Sequence, residues 1–168
     1  MEQYEGFDQT EENMRQRMLR FVQDYPDCFK RELLIGHITG SCWVIDPVNE
    51  KVLLLHHAKL NKWLQPGGHC DGNENVAAVA QTELFEETGL DVKPVSTTFF
   101  DLDIHTIPER KGVPEHEHFD VRFLFHADER MPLIQNHETN GLKWIPLNEI
   151  HKLTEERSVL RMQEKSIR

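Results

Sequence analysis

The spacing of apolar residues near the start of the chain predicts a helix over residues 10–25. Apolar side chains recur there at positions 14, 18, 19, 22 and 25, close to the helical period of about 3.6 residues per turn. Thr10 fits the N-cap, and Glu11 and Glu12 follow in the first turn, where the helix dipole favours acids. Pro26 then ends the helix.

Short runs rich in β-branched and aromatic residues predict strands further along the chain. Such runs occupy residues 33–46, 51–57, 97–105, 119–126 and 142–145. The Asp46-Pro47 pair is typical of a turn, so the first two runs are expected to form a hairpin. Across residues 59–71 no regular element is expected, because Pro66, Gly67 and Gly68 interrupt the pattern.

The longest helical pattern lies in the middle of the chain, over residues 75–88. Gly89 follows it at the position where a left-handed C-cap is expected. After Pro146 the pattern indicates a turn and a final helix that carries Val159, Leu160 and Met162. Strands before and after one central helix predict a mixed sheet covered by helices on its faces. No repeat, low-complexity tract or linker divides the chain.

Composition and charge narrow the function. The 168 residues suit one domain, and 29 acids against 19 Lys and Arg give a formal net charge of −10. Nucleic-acid binding is not expected, because it needs clustered basic residues. Three cysteines without metal-ligand spacing, no leader and no membrane-spanning apolar run indicate a cytoplasmic protein with free thiols. Cys28 and Cys42 are expected in the core.

Three carboxylates fall on one face of the central helix. Glu83, Glu86 and Glu87 stand at positions i, i+3 and i+4, where like charges repel, and no basic residue lies between positions 66 and 92 to offset them. A hard divalent cation would offset the repulsion, since Mg²⁺ takes oxygen ligands and also bridges substrate phosphates. The alternative is a solvated acidic face. Acids at positions 101, 103, 115 and 117 are expected to add to the negative electrostatic field near the three carboxylates.

The spacing of glycines and acids resembles the Nudix box, G-x5-E-x7-R-E-U-x-E-E-x-G-U with U aliphatic. The matching positions are Gly68, Glu74, Glu83, Glu86, Glu87, Gly89 and the aliphatic Leu84 and Leu90. The one departure is Thr82, where the family has an Arg that holds a box carboxylate in place. The resemblance implies an α+β fold, an α/β/α sandwich with a mixed sheet. It also implies one Nudix hydrolase domain over residues 1–168, with a helical extension at 1–30 and the core at 31–168.

The resemblance also implies a chemistry. The family hydrolyses a nucleoside diphosphate linked to a group X, by water attack on one phosphorus, with one to three Mg²⁺ or Mn²⁺ ions. The metal ligands would be Glu83, Glu86, Glu87 and the carbonyl of Gly67. Glu138, six residues before Trp144, is a further candidate ligand. Glu138 or one of the three box acids would act as the general base. Gly68, Glu74 and Gly89 would serve the structure of the box.

Weaker candidates surround the box. Lys59 and Trp63 precede it, and His69 follows its first glycine, so each is a candidate for substrate contact or for a structural role. His37 lies on a predicted strand and is either structural or part of the cleft. His116, His118 and Asp120 share one side of a strand, which suits a second metal, phosphate contacts or a locally satisfied pair.

Three other functions compete with the hydrolase. Thr82 favours a non-catalytic Nudix-fold sensor that binds a nucleotide, whereas the complete set of box acids argues against it. Cys70 would allow a Nudix-fold isomerase acting on a prenyl diphosphate, and a plain acidic interaction domain would make the box a coincidence. The expected partner is a small nucleotide diphosphate conjugate, with no nucleic acid and no membrane. Dimers are frequent in the family, so a homodimer is an open alternative.

Overall fold

The computed structural model describes residues 3–137 and 139–167, which form a sheet between helices. The helices are α1 (Gln9–Asp24), α2 (Val76–Thr88) and α3 (Arg157–Ser166), with a 3₁₀ helix at Leu147–Lys152. The strands are β1 (Gly36–Asp46), β2 (Lys51–His57), β3 (Lys62–Leu64), β4 (Gly67–His69), β5 (Asp101–Ile107), β6 (His116–His126) and β7 (Thr139–Pro146). No helix in this described part is long and apolar enough to cross a membrane.

Strand β1 is the centre of the sheet. It runs parallel to β6, with His37 opposite His118 and Ile45 opposite His126, and β6 pairs antiparallel with β5. The other edge of β1 is shared, because β4 pairs with Thr39–Ser41 and β2 pairs near Ile45. Parallel and antiparallel pairs therefore occur in one sheet, as the sequence predicts.

Helices cover both faces of this sheet. The larger core joins α1 and α2 to one face, where the buried residues include Met18, Ile38, Ala80, Leu84 and Phe123. The smaller core joins α3 and the 3₁₀ helix to the opposite face through Trp43, Leu54, Ile150, Val159 and Met162. Cys28 and Cys42 are buried in the larger core, which confirms their predicted place.

Local signals define α2 at both ends. The side chain of Asn75 caps the helix by accepting a hydrogen bond from Ala78 N at 3.2 Å, and Gly89 closes it in the left-handed conformation with φ 77°. Between these ends the helix lies directly on β1, since a Cβ at Gly40 would come within 2.9 Å of the Val76 carbonyl oxygen. This packing fixes the position of the α2 side chains relative to the sheet.

Two expectations about local structure are wrong. Helix α1 begins one residue earlier, because the Asp8 carboxylate accepts a hydrogen bond from Glu11 N at 2.8 Å and so replaces Thr10 as the N-cap. Residues 59–71 also contain regular structure, the short strands β3 and β4. Strand β4 pairs with β1, and Gly67 permits this close approach because a Cβ there would lie 2.8 Å from the Gly40 carbonyl oxygen.

Candidate active site

Two carboxylates of α2 lie against the glycines of β4. Glu87 is buried, with 6% of its surface exposed, and its Oε2 accepts a hydrogen bond from Gly67 N at 2.9 Å. Glu83 lies beside Gly68, where any Cβ would overlap the Glu83 carboxylate. Glycine at position 68 therefore lets the Glu83 carboxylate lie directly against the backbone. Carboxylate oxygens therefore lie next to backbone atoms that no side chain covers.

The remaining box residues are placed differently. Glu86 and Glu74 are exposed, Glu86 on α2 and Glu74 in the loop just before it. The Thr82 hydroxyl donates to the Ala78 carbonyl at 3.0 Å, so it is bonded to the backbone of its own helix. Glu138 lies outside the described residues. Asn136, two residues earlier, donates to the Glu86 carbonyl oxygen at 3.2 Å, which ties this loop to the end of α2.

Lys59 and Trp63 lie on the hairpin formed by β2 and β3. Lys59 is exposed in its turn, and Trp63 is half-buried against the smaller core. The Trp63 ring stacks on His56, with ring centroids 5.1 Å apart and planes at 30°. These contacts give Trp63 a packing role, which was one of the two roles the sequence left open.

Five histidines gather at one end of the sheet. They are His37, His69, His105, His116 and His118. The ring centroids of His37 and His118 are 4.7 Å apart, and His69 lies 5.0 Å from the first and 5.1 Å from the second. His116 lies 5.1 Å from His37, and His105 lies 5.5 Å from His118. Three of the weak candidates from the sequence, His37, His69 and His118, are therefore neighbours.

The register of the strands explains the gathering. His37 is opposite His118 across the β1–β6 pair, and His118 is opposite His105 across β5–β6. Because side chains alternate between faces, His116 shares a face with His118. Burial, followed by the proximity of His69 and His116, lowers the pKa of His37 to about 4. Burial and the neighbouring His37 lower the pKa of His118 to about 2.

A buried charge network continues along the same face. Arg122 donates to Asp120 through Nε at 2.7 Å and to Asp101 through Nη1 at 3.0 Å, and its Nη2 lies 3.4 Å from Asp103. Arg161 donates to Asp101 at 2.9 Å and to Asp103 at 3.2 Å. The expectation that residues 101 and 103 add to an acidic field is wrong, because these two arginines compensate both carboxylates.

Cys70 has no place in a cleft. Its side chain is 3% exposed and belongs to the larger core. Burial, with the nearby carboxylate of Asp120, raises the pKa of its thiol to about 12, so it is a protonated packing group. The isomerase hypothesis needed a cysteine in the cleft, and this position removes its support.

Comparison with known proteins identifies the family. The model of the NUDIX domain matches residues 37–162 of this chain. The chain belongs to the NUDIX family. Within the family it resembles the m7GpppN-mRNA hydrolase NUDT17 of Xenopus laevis, with 31% identity over 101 residues, which are 56% of this chain and 34% of that protein. The phosphatase NudJ of Shigella boydii is 29% identical over 129 residues, 74% of this chain and 77% of NudJ. This chain thus spans about a third of the length of the frog protein.

Solved NUDIX structures have the same fold. The MutT protein from Methanosarcina mazei superimposes with a TM-score of 0.64 over 79% of this chain and 93% of its own, at 17% identity. The dihydroneopterin triphosphate pyrophosphohydrolase of Escherichia coli gives a TM-score of 0.60 over 76% and 92%, at 15% identity. At these identities the likeness shows the fold alone, and it confirms the α+β sandwich.

The NUDIX box of this chain has a donor set that suits a hard cation. Glu83 and Glu87 present carboxylate oxygens beside the backbone of Gly67 and Gly68, with no lysine or arginine in the box. Position 82, where the family has Arg, does not orient these acids, because the Thr82 hydroxyl bonds to Ala78. Instead, the Gly67 N–H holds one Glu87 oxygen in place.

Sequence analysis placed His116 and His118 on one side of a strand, but it missed their meeting with the other three histidines, and it missed the role of Arg122. A signal for both was present, since positions 116, 118, 120 and 122 are all polar and alternate with apolar or acidic neighbours on one strand. Positions 101, 103 and 105 repeat that alternation. When two strands that each have one polar face pair with each other, their polar side chains lie side by side on one face of the sheet.

Proposed function

We propose that this protein is a divalent-metal-dependent pyrophosphohydrolase that cleaves a nucleoside diphosphate linked to another moiety X. The observation that carries the proposal is the placement of Glu83 and Glu87 against Gly67 and Gly68. Water would attack one phosphorus, the bridging P–O bond would break, and two phosphate esters would leave. Residues 31–168 would form the catalytic core, and residues 1–30 would form a helical extension.

The residues that would hold the metal are Glu83, Glu86, Glu87, the Gly67 carbonyl and Glu138. Mg²⁺ or Mn²⁺, as one to three ions, would neutralise the diphosphate and lower the pKa of the attacking water. The exposed position of Glu86 makes it accessible from the solvent side, whereas Glu87 is buried. Helix α2 thus offers one exposed and one buried carboxylate of the box.

The protein's own groups have two further tasks. One carboxylate among Glu83, Glu86, Glu87 and Glu138 would take the proton from the attacking water. Phosphoryl transfer otherwise depends on positioning and charge neutralisation. The hydrogen bond from Gly67 N to Glu87 serves positioning, since it fixes a carboxylate that has no arginine partner at position 82.

The proposed substrates are small nucleotide diphosphate conjugates. The relatives named above are an m7GpppN-mRNA hydrolase and a phosphatase, which supports chemistry on phosphate groups. Of the five candidates for substrate contact, Lys59 and His69 stay proposed contacts, whereas Trp63 packs on His56, and His37 and His118 lie among other histidines. The net charge of −10 argues against a long nucleic acid as the substrate.

Hydrolysis with two matched variants tests the proposal. Mg²⁺-dependent release of phosphate esters would be measured over nucleoside diphosphates conjugated to sugar, nucleoside and alkyl groups. In Glu87→Gln the side-chain oxygen still accepts from Gly67, so the fold is kept while the charge is lost. We expect kcat to fall by about 10²- to 10⁴-fold. Glu155→Gln, at an exposed position outside the box, should leave activity unchanged.

Two results would contradict the proposal. Equal activity of Glu87→Gln and the unmodified chain would remove the box from the reaction. Nucleotide binding without turnover across the whole panel would favour the sensor alternative, for which the missing arginine at position 82 is the motivating feature.

A further inference from the structure

Three histidines from two adjacent strands converge at one end of the sheet, and we propose that they bind a transition-metal ion, with Zn²⁺ as the representative. His37 comes from β1, and His116 and His118 come from β6. One ring nitrogen of each histidine lies within 4.8 Å of the other two. Among the described residues, these three side chains form a group that could hold a metal ion. The proposed ion is separate from the box cations and does not depend on the hydrolase activity.

Unsatisfied ring nitrogens point to a missing ligand. His37 is 97% buried, since only 3% of its surface is exposed, yet neither of its ring nitrogens makes a hydrogen bond to a described residue. His118 Nε2 is also buried without such a partner among the described residues. Each buried, unpaired polar atom costs about 1–3 kcal/mol, so three together at one point call for an explanation. A metal ion among the rings would bind one nitrogen of His37 and Nε2 of His118, and so would satisfy two of these three atoms.

The orientation of His116 fits a metal ligand. Its Nδ1 lies 2.8 Å from the Pro114 carbonyl oxygen. A carbonyl can only accept, so Nδ1 carries the proton and Nε2 keeps its lone pair. Metal-binding histidines commonly donate their second ring N–H to a carbonyl or carboxylate in this way. His105 repeats the arrangement, with Nδ1 3.1 Å from Asp103 Oδ2.

The donor type separates this site from the NUDIX box. Imidazole nitrogens suit Zn²⁺, Cu²⁺ and Ni²⁺, whereas carboxylate oxygens suit Mg²⁺ and Mn²⁺. Three histidines also leave a fourth position of a tetrahedral ion open for water or another ligand. His69 and His105 border the trio and are the nearest further imidazoles. An ion could enter from solvent, since His116 and His118 are half-buried and His105 is exposed.

Zn²⁺ binding to the full chain tests the proposal. Titration calorimetry would be run with Mg²⁺ in large excess, so that the carboxylate site is occupied, and the melting temperature would be recorded with and without Zn²⁺. The variants are His116→Ala and His118→Ala, which spare the fully buried His37. The matched control is His151→Ala, an exposed histidine on the 3₁₀ helix, and Glu87→Gln controls for the box.

We expect one Zn²⁺ per chain and a rise in melting temperature, because an ion that binds only the folded state stabilises it. In His116→Ala and His118→Ala the affinity should fall by more than about 100-fold, because residues that only orient a ligand already change affinity by about 10- to 100-fold. Replacement by Co²⁺ should give the visible absorption of a four-coordinate ion. His151→Ala and Glu87→Gln should bind as the unmodified chain does.

Four results would overturn the proposal. The first is no Zn²⁺ binding in the unmodified chain. The second is unchanged affinity in both histidine variants, and the third is loss of Zn²⁺ in Glu87→Gln, which would place the ion in the box. Stabilisation by inorganic phosphate in place of Zn²⁺, abolished by the same histidine variants, would also overturn it in favour of an anion site.

Discussion

Replacing Arg122 by Met should destabilise the protein strongly. Arg122 is 1% exposed and contacts the carboxylates of Asp101, Asp103 and Asp120 at 2.7–3.4 Å. Methionine fills a similar volume, but it leaves these carboxylates with one positive charge fewer in a buried position. Removing one partner of a buried ion pair costs about 3–5 kcal/mol. For a domain of this size, that corresponds to a fall in melting temperature of about 6–20 °C.

Chemical and thermal unfolding would measure this loss. Arg122→Lys should lose less, because the charge remains while a single ammonium cannot reach three carboxylates as the guanidinium does. Arg130→Met is the surface control. Arg130 pairs with Asp128 in an exposed position, so its replacement should leave the melting temperature unchanged within error.

The pH dependence gives a second test of the same reasoning. Burial alone would raise the pKa of Asp101, but Arg161 and Arg122 hold that pKa below its ordinary value. In the unmodified chain this stabilisation is complete above the ordinary Asp pKa of about 4, and it is lost as the pH falls through the lowered pKa. Burial raises the pKa of Asp103 and Arg122 is the strongest charge that lowers it, so without Arg122 this pKa should rise and mild acid should relieve the uncompensated charge.

The difference in unfolding free energy between the unmodified chain and Arg122→Met should therefore narrow between about pH 7.5 and about pH 5. A loss below about 1 kcal/mol, or a difference that does not change with pH, would refute the claim that uncompensated charge is its cause.

Three further predictions follow from single positions. Gly68→Ala should displace the Glu83 carboxylate and raise the Mg²⁺ concentration for half-maximal activity about tenfold or more with little change in stability; an unchanged metal requirement in enzyme assays would contradict this. Gly89→Ala should cost about 1–2 kcal/mol in urea unfolding, because alanine would have to adopt φ 77°; equal midpoints would contradict it. Hydrogen bonding from Glu129 N lowers the pKa of Asp46, so Asp46→Ala should lower the melting temperature at neutral pH, and the difference should shrink below about pH 4; a constant difference would contradict it.

Local signals made α2 and its acids predictable. Asn75 and Gly89 bracket the helix, and the helical period alone places Glu83 and Glu87 on neighbouring turns. What this period could not reveal is their surroundings. Strand β4 exists only because β1 pairs with it, and glycine has a low intrinsic preference for strands. The contact between Gly67 and Glu87 therefore depends on tertiary structure.

The meeting of the histidines could be predicted only in part. His116 and His118 share a face by local alternation, and the sequence suffices to predict that. Their meeting with His37 depends on the parallel pairing of β1 with β6 in one register, and a slip of one residue would turn them away from each other. No local pattern fixes that register.

The parallel pairing of β1 and β6 has a consequence for how the chain folds. Thr39 and Asp120, which are hydrogen-bonded across this pair, are 81 residues apart in the sequence. Central pairing at such a separation gives a high contact order, which slows folding because a long loop must close before its contacts form. The histidine trio is completed only at that step, whereas α2 and its capping residues can form beforehand. Any ligand of the trio would therefore report on completed folding, and time-resolved binding of such a ligand would follow the closure of the sheet.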